Sequence, residues 1–258
     1  MQKNLSGHSF GGQELLHNIK RWCLWLIDAQ PSELRSLPAV MRRVEAVKKW
    51  REASNRETTK KLSLTPTSFA EIRQPTTDYV AVPTLSSERR MYIPMAFLPA
   101  EVIASNQLYI LPDATLFHFG ILTSAMHMAW VRYTCGRLES RYRYSAGIVY
   151  NNYPWPDEPT DKLRTAVEAA AQAVLDARAQ FPQSSLADLY DPLTMPPALV
   201  KAHQALDRAV DACYRKAAFT NDAQRVEFLF ERYQQLTSLL PAETAKPKRR
   251  KARTEGGA

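Results

Sequence analysis

A chain of 258 residues, 45% of them hydrophobic, has room for one large domain or two modest ones with real cores, which excludes a disordered or fibrous chain. Its formal charge of +8 points to polyanionic partners, and the surplus is local: residues 33–61 carry +5 and residues 241–258 carry +4, while 62–159 and 160–240 carry −1 each. Cys23, Cys135 and Cys213 are odd in number and far apart, which argues against a disulfide framework or a zinc site and fits a reducing compartment.

Residues 1–12 (MQKNLSGHSFGG) are polar and glycine-rich, and residues 1–20 are expected to form a flexible linker with no signal peptide. Trp22–Ile27 (WCLWLI) has the length and texture of a buried strand. Pro38 suits the first turn of a helix in which Leu37, Met41, Val44 and Val47 recur at helical spacing. On another face Arg42, Lys49 and Arg56 fall seven apart and predict a basic stripe. From Leu62 to Pro112 short β-rich pieces (Tyr79–Pro83, Met91–Pro94, Leu108–Leu111) alternate with Pro, Ser, Asn and Asp, as in a small sheet with irregular loops.

Ala114–Tyr133 reads as one long helix, apolar nearly all round and therefore internal, with Gly136 as its C-terminal cap. Leu138–Tyr144 (LESRYRY) and Ile148–Tyr153 (IVYNNY) alternate like two more strands. Pro154, Pro156 and Pro159 mark a boundary, and the remainder is helical: Asp161–Gln180, Pro197–Ala217 and Asn221–Leu240, a bundle of about 80 residues. Residues 241–258, with Lys248, Arg249, Arg250 and Lys251, read as a basic disordered tail. No apolar run is long enough to span a bilayer, so a cytoplasmic protein without a membrane partner is expected.

Catalytic signatures are missing. Gly7-His8-Ser9-Phe10-Gly11 matches a nucleophile elbow, but no apolar strand precedes it to hold the serine on a strained turn. His118 and His127 are nine apart, not the i, i+4 spacing that puts two metal ligands on one helical face, so core histidines are expected and no metal. No glycine-rich loop follows a strand, and no Asp-Pro-Pro-Tyr-like tetrapeptide is present. Asn152-Tyr153-Pro154-Trp155 has the wrong order to present an aromatic ring over a flipped adenine.

Six segments, in order, carry a resemblance: RWCLWL (Arg21–Leu26), SSERRMYIP (Ser86–Pro94), FHFGILTSAMHMAWVR (Phe117–Arg132), GRLESRYRYS (Gly136–Ser145), VYNNYPWP (Val149–Pro156) and YDPLTMPPAL (Tyr190–Leu199). Together they resemble the C-terminal third of the MmeI-like family of type II restriction–modification proteins, which combine a nuclease, an adenine-N6 methyltransferase and a target-recognition domain. The resemblance implies an α/β (α+β) target-recognition domain over residues 21–158, followed by an all-α helical bundle domain over 159–240. It implies sequence-specific recognition of double-stranded DNA on behalf of an adenine-specific methyltransferase module in cis or in trans. The catalytic modules lie upstream in that family and are not expected in this chain, nor is their cofactor S-adenosylmethionine. An alternative is a docking module for a separate catalytic subunit, with only incidental DNA affinity.

Residue chemistry narrows the recognition surface. On a strand, Glu139, Arg141 and Arg143 share one face, opposite Ser140, Tyr142 and Tyr144. Arginine can donate twice to guanine N7 and O6, and glutamate can accept from the amino group of cytosine or adenine, although an exposed ion pair explains the pattern equally well. The resemblance favours base reading by these three, since the family's base-reading side chains fall in this segment. Weaker candidates for phosphate contacts are Arg89 and Arg90, and the stripe Arg42, Lys49 and Arg56.

Overall fold

The computed structural model describes residues 6–238, so the expected tail over 241–258 lies outside the described residues. The chain opens with strand β1 (Ser6–Phe10), helix α1 (Gly12–His17) and strand β2 (Trp22–Leu24). β1 pairs antiparallel with β2 and parallel with a later strand, β6 (Ile103–Ala104). From residue 6 onward the expected linker is therefore corrected to ordered structure. Glu14 explains part of this: buried in α1, it accepts from the Gly11 amide at 2.9 Å and pairs with Arg21 at 2.9 Å. Gly7 also contributes, because a Cβ there would lie 2.4 Å from Ile103 Cδ1 and the Ile103 side chain would have to shift. Ser9 sits within β1 opposite Ile103, not on a strand-to-helix turn.

Helices α2 (Pro31–Arg35) and α3 (Pro38–Glu52) both begin with proline, whose missing N–H is an orphan at that position anyway. They are followed by α4 (Glu57–Lys61) and a 3₁₀ turn at Leu62–Leu64. Packing here is thin. The expected buried strand Trp22–Ile27 is only three residues long with Trp22 59% exposed, and α3 buries Val44 alone.

A second sheet has order β5-β3-β7, all antiparallel, from β3 (Tyr79–Pro83), β5 (Ala96–Leu98) and β7 (Leu108–Pro112). β3 is buried on both faces. Val80 and Val82 face the main core, whereas Tyr79 and Ala81 face a smaller one with Leu15, Leu98 and Leu108. Met91–Pro94, expected as a strand, is a loop: Pro94 cannot donate to a ladder, and Tyr92 is turned toward the helical half.

The expected single helix over Ala114–Tyr133 is two, α5 (Leu116–Leu122) and α6 (Ala125–Thr134). Thr123 and Ser124 break it. Their hydroxyls donate to the carbonyls of Phe119 and Ile121, both at 2.7 Å, and Ser124 then caps α6. Gly136 is not a left-handed cap but the first residue of strand β8 (Gly136–Leu138), because the chain leaves α6 through an extended Cys135. β8 pairs with β9 (Arg141–Arg143), which pairs in turn with β4 (Leu85–Ser86), giving a third sheet of order β4-β9-β8. The strand expected over Ile148–Tyr153 is replaced by a π-helical turn at Ala146–Tyr150. The Ser145 hydroxyl caps it, and the Asn152 amide donates to the carbonyls of Gly147 and Ile148.

Beyond residue 158 lie α7 (Asp161–Ala179), the short α8 (Leu186–Leu189), α9 (Pro197–Tyr214) and α10 (Asp222–Ser238). An α+β unit followed by helices is the fold class the sequence predicts. The halves are nonetheless fused, since one continuous core runs from Val80, Phe119 and Trp130 to Val167, Leu206 and Leu229. Polar ties reinforce it. Asp207 of α9 accepts from the Tyr92 hydroxyl and the Ala125 amide, each at 2.7 Å, and Arg178 of α7 donates to the Met95 carbonyl at 2.7 Å. Among the described residues no helix is long and apolar enough to cross a membrane.

Candidate nucleic-acid interface

The segment Gly136–Tyr144 is a tight hairpin instead of one strand. The pairing of Leu138 with Arg141 leaves Glu139 and Ser140 as a two-residue loop, and Glu139 adopts φ 56°. The two-residue alternation of Glu139 with Arg141 and Arg143 on one strand is therefore corrected. Nothing in LESR announces a turn, because no glycine, asparagine or aspartate occupies the loop. The three side chains are nevertheless close. Arg141 reaches back to Glu139 at 2.7 Å, and Arg143 lies two residues further along the same exposed face.

The hairpin is rooted from its other face. Tyr142 and Tyr144 are buried in the main core. The Tyr144 amide donates to the Thr84 carbonyl at 2.9 Å, and its hydroxyl shares a 3.0 Å hydrogen bond with His127 Nε2. Burial holds His127 neutral, with its pKa pushed down to about 3, and pushes the Tyr144 phenol well above its ordinary range. The hairpin thus stands on packed tyrosine and neutral histidine side chains, with Arg141 and Arg143 on its outward face.

Stability does not explain Glu139. A left-handed conformation at a residue other than glycine costs roughly 1–2 kcal/mol. An exposed ion pair such as Glu139–Arg141 returns about 0–1 kcal/mol, and this one is 75% exposed on the glutamate side. The cost exceeds the return, which points to a role for the carboxylate outside the fold.

The other candidates separate. Arg89 is exposed in the loop after β4, but Arg90 is half-buried. Burial lowers the Arg90 pKa, opposed by the negative charge of Asp191 in the helical half. On α3, Arg42 and Lys49 are exposed, with Lys49 4.0 Å from Glu45. Arg56 lies beyond the end of α3 on extended backbone, so the stripe of three is corrected to two. Arg51, which the seven-residue spacing passed over, donates to the carbonyls of Leu62, Thr65 and Ser68 and holds the following loop. Reasoning from sequence also missed Arg137, on the inner face of β8. Its guanidinium lies 4.1 Å from the Tyr142 ring centroid and donates to the Ser140 carbonyl at 3.1 Å. Its alternation with Leu138 was the available signal. No group of three metal-ligating side chains occurs among the described residues.

An α+β unit that holds an arginine-bearing hairpin on a core shared with a helical bundle defines a composite class of two coupled modules. Family models match both: the MmeI target recognition domain over residues 2–157, and the MmeI C-terminal domain over 159–241. The chain belongs to the MmeI family. It is 40% identical over 227 residues to DNA methyltransferase A of Bacillus subtilis (strain 168), covering 88% of this chain and 26% of that protein. Its fold superposes on the Type IIL restriction-modification enzyme MmeI in complex with DNA with a TM-score of 0.89 at 47% identity, covering 92% of this chain and 32% of the enzyme. The chain therefore spans between a quarter and a third of these relatives.

Proposed function

We propose that this chain is the sequence-specific double-stranded DNA recognition module of an adenine-N6 methyltransferase of a restriction–modification system. In this reading Glu139, Arg141 and Arg143 meet base edges in the major groove, with Arg143 and Arg141 donating to guanine and Glu139 accepting from an amino group. The observation that carries the reading is the strained, outward Glu139 bonded to Arg141 at the tip of a hairpin, an arrangement the fold does not need. Family membership and a DNA-bound relative of the same fold support it. Arg89, Arg42 and Lys49 add phosphate contacts that fix orientation. The methyltransferase module, in cis or in trans, binds S-adenosylmethionine, and a calorimetric titration of this chain is expected to show no binding of it.

Titration of duplex DNA into the purified chain at several salt concentrations tests the proposal, together with selection from a randomised duplex pool. Affinity falls steeply as salt rises, from counterion release, and a consensus emerges from the pool. Salt-dependent binding without a consensus would refute base reading. One observation favours a second role beside the first: Trp22, Trp50 and Leu64 expose 59%, 71% and 84% of their surfaces in the thinly packed N-terminal part, a texture suited to contact with the methyltransferase module.

A further inference from the structure

We propose that Arg137 is a positioning residue that locks the loop of the β8–β9 hairpin in the conformation which presents Glu139 and Arg141 to DNA. The inference rests on the base-reading proposal above. Directly opposite residues of an antiparallel pair share a face, so Arg137, opposite Tyr142, lies on the inner face, while Arg141, opposite Leu138, lies on the outer one. The guanidinium of Arg137 is therefore on the opposite side from the Arg141 and Arg143 charges. It lies over the Tyr142 ring at 4.1 Å, a cation–π arrangement, and its Nη1 donates to the Ser140 carbonyl at 3.1 Å. It makes no ion pair among the described residues.

Both contacts bear on one problem. The loop has two residues, and its first, Glu139, is held at φ 56° without the help of glycine or asparagine. Such a conformation persists only where its surroundings over-determine it. Tyr142 is the fixed point: it is buried in the main core and flanked across the sheet by Ser86 on one side and Arg137 on the other. Arg137 links this fixed ring to the carbonyl of Ser140, in the peptide unit that joins Ser140 to Arg141. With that carbonyl held, the Glu139 and Arg141 side chains leave the backbone at a set angle and meet at 2.7 Å. A planar fork that stacks and donates at once is a property of arginine, not of lysine.

The test uses Arg137→Lys and Arg137→Gln in the full 258-residue chain, with amide hydrogen exchange, melting curves and pool selection. Exchange at Ser140 and Arg141 is expected to accelerate about tenfold in both variants while the β3 amides and the melting temperature hold. The selected consensus is expected to blur at the base pair that changes when Glu139 and Arg141 are exchanged, with the salt dependence of binding unchanged. Lysine does not rescue. Unchanged exchange in the loop would overturn the proposal. So would an intact consensus with lower affinity and a salt slope reduced by about one, the signature of a phosphate contact, which lysine would restore. Absence of a consensus in the unsubstituted chain would refute base reading itself, and hydrogen exchange would still decide whether Arg137 holds the loop.

Discussion

Glu139 and Arg141 form a donor–acceptor pair whose polarity can be reversed without touching the core, since both are exposed and neither packs below the hairpin. Glu139→Lys combined with Arg141→Asp keeps two opposite charges in place but exchanges acceptor for donor. The doubly changed chain is expected to melt as before and to select a different base pair at one position, with about 1–3 kcal/mol of discrimination redirected. Uniformly lower affinity with the same consensus would assign the pair to phosphates. Two buried histidines and a partly buried aspartate make a second prediction at this scale. His127 and His203 are neutral by burial, with pKa values near 3, so each contributes stability that is complete above the unfolded value of 6.5 and is lost as pH falls toward 3. Asp207, raised by burial to about 6, acts oppositely: its contribution is complete below the unfolded value of 3.8 and is lost as pH rises through 6. Between pH 6 and 4 the unfolded chain binds two histidine protons against one on the native aspartic acid. Stability from these groups then falls by about 1.4 kcal/mol per unit of acidification. Asp207→Asn keeps an acceptor for Ala125 and removes the opposing proton, so its melting temperature should fall about twice as steeply over that range.

The elements differ in how far they could be read in advance. Helices α7, α9 and α10 were legible because long stretches repeat an apolar stripe, and Val167, Ala171 and Val174 are buried as that stripe requires. The breaks were not legible. Thr123 and Ser124 interrupt an apolar run by bonding to backbone carbonyls, an option that hydrophobic periodicity does not register. The hairpin turn was hidden for a related reason: Glu139 takes a conformation that its residue type disfavours, beside the Arg137 contacts with Tyr142 and the Ser140 carbonyl. The residues of the candidate interface were therefore found by chemistry and resemblance, while their arrangement was not. A glycine marks a close helix contact. At Gly120 of α5 a Cβ would come within 2.7 Å of Val167 Cγ1 and 3.2 Å of Leu206 Cδ1, so side chains of α7 and α9 must shift to admit any side chain. Gly120→Ala gains helix propensity but overpacks this seam, and a net loss of about 1–3 kcal/mol is expected from denaturant unfolding. An unchanged midpoint would show that the seam yields.

Across the whole molecule, matching to two family models at residues 157 and 159 does not correspond to a gap between two bodies. Phe119, Trp130 and Val131 are covered by α7, α9 and α10, with Trp130 in ring contact with Phe230 and Tyr233. A fragment ending at residue 158 loses that cover together with the partners of Tyr92 and Met95. It is expected to bind a hydrophobic dye and to lack a cooperative melting transition, whereas the intact chain melts in one step. A cooperative fragment would mean that the α+β unit closes its own core. The shared core also bears on descent. A recombinant joining the first 158 residues of one relative to the later helices of another inherits two sets of interlocking side chains that were never selected together, and clashes or voids follow along Gly120, Val167 and Leu206. The side chains of Glu139 and Ser140 are exposed and do not interlock with that core. Under the proposed base-reading role, a substitution at the hairpin tip changes contacts to DNA without repacking the core, whereas exchanging halves disturbs the core first.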